Sequence, residues 1–151
     1  MKNNITDTAD IQLSRHFRLS EFTRSATAIR YGIDNTPDIE TVEALQNLCI
    51  NVLEPLRKRF GVVRITSGYR CLRLNEKIGG SRTSQHLLGE AADIHVGSLE
   101  TARKYFYFIR DNLDFDQMLL EMKGGNVHCL HVSYTTERQN RRMAKSEYLV
   151  V

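Results

Sequence analysis

A histidine and an aspartate seven residues apart, His86 and Asp93, flank a glycine in the segment Ser84-Gln85-His86-Leu87-Leu88-Gly89-Glu90-Ala91-Ala92-Asp93. Imidazole nitrogen and carboxylate oxygen are both good zinc ligands, and a catalytic zinc ion keeps three protein ligands plus a position for water. Gly89 gives the backbone freedom to bend, so a loop histidine and a strand aspartate can turn toward one point. Small Ala91 and Ala92 let that strand pack closely. A third ligand is required, and Val127-His128-Cys129-Leu130-His131-Val132-Ser133-Tyr134 offers two histidines. Residues three apart on a regular strand face opposite sides, so His128 and His131 cannot both be ligands there. His131, flanked by Leu130 and Val132 in the alternating part of the run, is the expected ligand. His128 follows the Gly124-Gly125 turn, where the backbone can be irregular, and is expected to act beside the metal. His95 shares the strand face of Asp93 and is a further residue within reach, whereas His16 beside Phe17 reads as structural.

The elements that must position these residues follow from periodicity. Residues 1–15 are polar and aperiodic and read as a loose N-terminal arm, with a single domain over 16–151. Leu19-Ser20-Glu21-Phe22 opens a short helix with Ser20 as its cap and Gly32 as its stop. Asn35-Thr36-Pro37-Asp38 is a second start signal. From Ile39 to Phe60 apolar residues recur at helical steps, so a long amphipathic helix ends before Gly61, with Pro55 expected to kink its last turns. Residues 62–67 read as a strand, 70–78 as a short helix and 79–84 as a loop. Residues 91–96 read as a strand and 99–113 as a helix capped by Ser98, with Tyr105, Phe106 and Phe108 in the core. Residues 115–122 and 127–134 read as strands joined by a turn at Lys123-Gly124-Gly125-Asn126, and 147–151 as a final strand. Helices gather early and strands late, which predicts an α+β fold with helices packed on a small antiparallel sheet.

Composition narrows the classes. With 151 residues, 41% hydrophobic and 26% charged, the chain suits one globular core. A formal charge of +3 fits an anionic polymer surface but is too small to argue for nucleic acid. Arg57-Lys58-Arg59 and the arginines from 138 to 142 read as solvated basic faces. Cys49, Cys71 and Cys129 form no Cys-x-x-Cys pair, which leaves neither a zinc knuckle nor a dithiol redox motif, and their odd number at unrelated spacings argues against a disulfide framework; Cys49 and Cys129 read as small buried hydrophobes. No window approaches the ~18 apolar residues of a membrane span. The opening MKNNITDTAD contains no apolar stretch, so the chain as written is expected in the cytoplasm, and a substrate outside the membrane would require another agent to deliver it.

Taken together, Ser84-x-His86-x-x-Gly89-x-Ala91-x-Asp93 and His131-Val132-Ser133 resemble the zinc D-alanyl-D-alanine carboxypeptidase family (peptidase family M15, in the manner of its subfamily A), whose Hedgehog/DD-peptidase fold is shared by Hedgehog signalling domains. Ser67-Gly68-Tyr69-Arg70 and Phe115-Asp116-Gln117 match at the corresponding places, and the resemblance covers residues 17–135. It implies one zinc ion held by His86, Asp93 and His131. It also implies that Arg70 faces the substrate, forking onto a terminal carboxylate or steadying an oxyanion. Ser84 supports the loop or the substrate.

The implied activity is hydrolysis of peptidoglycan stem peptides by a metal-activated water, as a D-Ala-D-Ala carboxypeptidase or an L-Ala-D-Glu endopeptidase, in the manner of a phage or prophage endolysin. The expected partner is a peptidoglycan peptide, the expected state a monomer, with no nucleic acid and no membrane span. The sequence departs from the family where several members carry an acidic general base, three residues before the last ligand: that position is His128. A neutral imidazole can take the proton, and Glu121 on the preceding strand is the reserve for the carboxylate role. The alternative function is a weak or inactive cell-wall peptide-binding module of the same fold, favoured by the missing acidic base and opposed by the complete ligand set with Arg70. Hydrolysis of a free dipeptide would call for a closed pocket, and a polymer for an open groove.

Overall fold

Alternation of apolar residues in the second half of the chain builds the centre of the sheet. The computed structural model describes residues 10–150; residues 1–9 of the expected arm and Val151 of the expected last strand lie outside them. Five strands, β1 (Ile65–Ser67), β2 (Ala91–Ile94), β3 (Gln117–Lys123), β4 (Asn126–Ser133) and β5 (Met143–Leu149), lie in the order β1-β2-β4-β3-β5. Ala92, Ile94, Met118, Leu120, Leu130 and Val132 are fully buried on one face, within a single large core that they share with the helices. Period-two alternation then assigns Asp93, His131, Leu119 and Glu121 to the opposite face. The chain is an α+β protein, as its sequence predicts.

The turn between β3 and β4 has Gly124 at φ 59° and Gly125 at φ 80°, the left-handed pair that a two-residue hairpin requires. The sheet is mixed rather than antiparallel throughout, because β5 pairs parallel to β3. This last strand also begins at Met143, ahead of the start expected at 147. Met143, Ala144, Lys145, Ser146 and Glu147 are all exposed, so this edge strand forms through main-chain pairing and shows no apolar alternation. Arg103 of the helix at 99–112 pairs with Glu147 and ties the edge down.

The first helical region is two helices, α1 (Leu19–Thr23) and α2 (Ala26–Arg30), where the sequence suggests one. Ser25 causes the break: its Oγ accepts the Ala28 N–H at 3.1 Å and starts α2 afresh. Ser20 is not the cap of α1. The Glu21 carboxylate accepts the Arg18 N–H at 2.6 Å, and Ser20 Oγ donates to Asp10 at 2.7 Å. The described part of the expected loose arm is therefore packed, with Leu13 only 4% exposed and its N–H bonded to the Phe17 carbonyl.

A continuous helix runs from α3 (Ile39–Leu48) through a wide turn at Cys49–Leu53 into α4 (Glu54–Phe60). Asp38 caps it by accepting the Thr41 N–H at 2.9 Å. Pro55 has no N–H and its ring would collide with a carbonyl four residues earlier. The helix widens to accommodate it, so that the Glu54 N–H reaches back to the Cys49 carbonyl. Two further helices are α5 (Leu72–Lys77) and α6 (Leu99–Asn112), the latter capped by Ser98 through the Thr101 N–H at 3.1 Å. Tyr105 and Phe106 are buried, and Phe108 packs against the core. Among the described residues no helix is long and apolar enough to cross a membrane.

Candidate metal centre

The site is assembled from a loop and two strands. His86 sits in a short 3-10 turn, Gln85–Leu88, which Ser84 starts by accepting the His86 N–H on its Oγ at 3.2 Å. Gly89 ends the turn at φ 72°, where any Cβ would lie 2.7 Å from the Thr41 carbonyl oxygen, so only glycine brings the chain round to β2. His86 is buried, and its ring is fixed from one side: Nδ1 donates to the Gly68 carbonyl at 2.5 Å. With Nδ1 so engaged, Nε2 is the ring nitrogen left to face Asp93, 3.3 Å from its Oδ1.

The backbone repeats the hold, since the Arg70 N–H donates to the His86 carbonyl at 3.1 Å. The segment from Ser67 to Arg70 is itself anchored. The Tyr69 N–H bonds the Phe22 carbonyl at 2.8 Å, and Asn35 spans the segment, donating to the Tyr69 carbonyl and accepting the Cys71 N–H.

On the sheet, Asp93 and His131 are direct partners across the β2–β4 ladder. His131 Nδ1 donates to Asp93 Oδ1 at 2.9 Å, and the two imidazole rings stand 5.1 Å apart, centroid to centroid. One ligand atom from each of His86, Asp93 and His131 lies within 4.8 Å of the others. Burial pushes the Asp93 carboxyl up, but the bonds from His131 and His86 outweigh it and hold the group well below the usual carboxylate range. Two imidazole nitrogens and an ionised carboxylate, converging with an oriented outer bond to His86, are a donor set that fits a catalytic divalent ion. His95 lies past the end of β2, is exposed, and takes no part; His16 is bound to Glu54 at 2.8 Å, a structural role.

The cleft over these residues has a volume of about 1170 Å³. Arg70, Ser84, Glu121 and His128 all line it. Burial lowers the Arg70 guanidinium pKa against the opposing pull of Asp93 and Glu121, and its buried Nε has no hydrogen-bond partner among the described residues. Glu121 faces the cleft on β3, one pleat along from Leu119, the partner of His131. His128 arrives by an irregularity. Glu121 pairs with Cys129 but Met122 pairs with Val127, so His128 is an extra residue bulged out of β4. The bulge gathers His128 with Glu121 and Cys129, whose ligand atoms also lie within 4.8 Å of one another. Cys129 Sγ donates to Glu121 Oε2 at 2.9 Å.

The far wall lies beyond what the sequence motifs predict. Asp116 is fully buried and receives Arg138 at 2.6 and 3.0 Å and Arg141 at 2.8 and 3.2 Å. Burial raises its carboxyl pKa, but the two guanidiniums prevail and hold it far below its ordinary value. These arginines line the cleft and are half-exposed, so the reading of 138–142 as a solvated basic face omits their pairing with a buried carboxylate. Arg142 instead donates to the Leu113 and Arg110 carbonyls at the C-terminus of α6. Buried Glu90 joins the loop to the metal-side turn, accepting from Thr135 Oγ1 at 2.7 Å and Gln85 Nε2 at 3.2 Å. The only sequence signal for this wall is the proximity of an Asp-bearing motif to a basic run, and nothing in either names the other as its partner.

The Peptidase M15 family model matches residues 15–130, a span that includes Arg70, His86 and Asp93 and stops one residue before His131. No curated protein matches the chain. The family match extends over most of the 151 residues and takes in two of the three side chains that converge at the candidate metal site. The chain belongs to peptidase family M15, a family of metallopeptidases.

Proposed function

We propose that the protein is a zinc peptidase that hydrolyses peptidoglycan stem peptides, cutting within a stem that lies along the cleft. The observation that carries this reading is the convergence of His86, Asp93 and His131 at the cleft floor, with Arg70 nearby presenting a buried Nε that has no partner among the described residues. Nitrogen and oxygen donors in this number favour zinc. Bound there, the ion supplies Lewis acidity to a water and to the scissile carbonyl.

The protein's own groups do the remaining work. Arg70 supplies hydrogen-bond donors to an oxyanion or to a substrate carboxylate. Glu121, half-buried on the metal face of β3, accepts the proton of the attacking water, and so takes the carboxylate role that the residue three before His131 does not supply. His128 stands beside it at the exposed rim, where an imidazole can pass that proton to the leaving amine. A volume of about 1170 Å³ exceeds the ~300–1,000 Å³ of ordinary small-ligand sites, which supports a length of peptide over a free dipeptide. Arg138 and Arg141 together carry one more charge than Asp116 neutralises, and suit the carboxylates of an acidic stem.

Digestion of purified sacculi and defined muropeptides, read by mass spectrometry, tests the reading. Fragments cut inside the stem are expected, and a chelator should abolish them. Release of terminal D-alanine alone would make the enzyme a carboxypeptidase. Binding to stem peptides without cleavage would make it a recognition module.

A further inference from the structure

We infer that Glu121, His128 and Cys129 form a second divalent-cation site, which fills after the first and shuts off turnover. The three side chains offer one oxygen, one nitrogen and one sulfur, and these atoms lie within 4.8 Å of one another. Each is an established zinc donor, with bonds of about 2.0–2.3 Å, so a single ion between them can touch all three.

The backbone has been adjusted to produce this set. In an unbroken β4, His128 would oppose Met122 and point away from Cys129; the bulge makes it the unpaired residue and turns it toward Glu121. Cys129 is 5% exposed and already in contact with Glu121 at 2.9 Å, so two of the three donors are in place. The ion replaces the thiol proton, which leaves to solvent, and Sγ then binds the cation in its stead. The second set is the more open of the two, with His128 exposed where His86 is buried and held by the Gly68 carbonyl, so the second ion binds more weakly.

The inhibitory consequence rests on the proposed roles of Glu121 and His128: an ion that engages both removes the proton acceptor and its relay together. The two sites differ in one spectroscopically useful respect. Only the second contains sulfur.

Titration of the metal-free protein with cobalt(II) separates them. The first equivalent should show ligand-field absorption alone, and the second should add a near-ultraviolet sulfur-to-cobalt charge-transfer band. Cys129→Ala should keep the first equivalent and lose both the second and the band. His128→Ala, at an exposed position, should weaken the second equivalent by about tenfold or more. With zinc, peptide cleavage should rise to one equivalent and fall beyond it, while Cys129→Ala, measured against its own rate at one equivalent, should show no fall. A single equivalent without the band, or a band that survives in Cys129→Ala, overturns the site. A filled second site with undiminished cleavage overturns its inhibitory role. If no peptide is cleaved at all, stoichiometry and the band still decide whether the site exists, independently of the proposed function.

Discussion

His131 stands directly opposite Asp93 across the β2–β4 ladder, with His131 Nδ1 2.9 Å from Asp93 Oδ1. Strand pairing therefore delivers the third ligand to the second, although 38 residues separate them along the chain. His86 is delivered differently, by a glycine-terminated turn and by its bond to the Gly68 carbonyl. Loss of either mechanism has a distinct signature.

Replacing Asp93 by alanine removes the atom that both imidazoles address, and replacing His86 removes the buried nitrogen donor. Both variants should lose tight metal binding with the fold retained, since neither side chain belongs to the hydrophobic core. Metal analysis with circular dichroism checks this. Tight metal retained in Asp93→Ala would take the aspartate out of the ligand set.

Gly68→Ala attacks the orientation of His86 without touching a ligand. A Cβ at Gly68 would lie 2.6 Å from Phe22 Cβ and 2.7 Å from Phe22 Cα, so the backbone of one segment must move. Overpacking of this kind costs about 1–3 kcal/mol. The displaced Gly68 carbonyl frees the His86 ring, and metal affinity should fall by about tenfold or more. Denaturant unfolding and metal competition measure the two effects on the same protein.

Much of this centre was legible in the sequence. His86-x6-Asp93 with an intervening glycine, and an alternating strand bearing His131, carry their own geometry. The α+β class followed from periodicity alone. The irregularity near His128 was visible only as a glycine turn; the register that makes it a bulge depends on where β3 lies. The Asp116–Arg138–Arg141 wall was illegible because an ion pair between distant residues leaves no local pattern. The break at Ser25 and the wide turn before Pro55 are local, but periodicity runs through both and hides them.

Glu121 and His128 are separable by kinetics. Glu121→Gln should keep the tightly bound metal and lower kcat by about 10²–10⁴. His128→Ala should lose less. Full activity in Glu121→Gln with a severe loss in His128→Ala would transfer the proton-accepting role to the imidazole.

Asp116→Ala should destabilise the protein by about 2–3 kcal/mol. This is below the 3–5 kcal/mol of a fully buried pair, because both guanidiniums are half-exposed and can turn to water. The Asp116 carboxyl is depressed below its ordinary 3.8, so its stabilising contribution is fully present above that value. As pH falls through the folded-state value, protonation removes it. The stability gap between wild type and Asp116→Asn should be constant near neutrality and should narrow only below pH ~4. A gap that changes between pH 6 and 8 would point to a different group.

The most direct measurement is the tightly bound metal content of purified wild type and His131→Ala, taken alongside cleavage of stem peptides. His131 is the informative position, because its place in the ligand set comes from the sheet register and not from the matched span of the family. One zinc per chain in the wild type, with none and no cleavage in His131→Ala, is the predicted result. A wild type without tightly bound metal, or an unchanged zinc content in His131→Ala, would contradict the account.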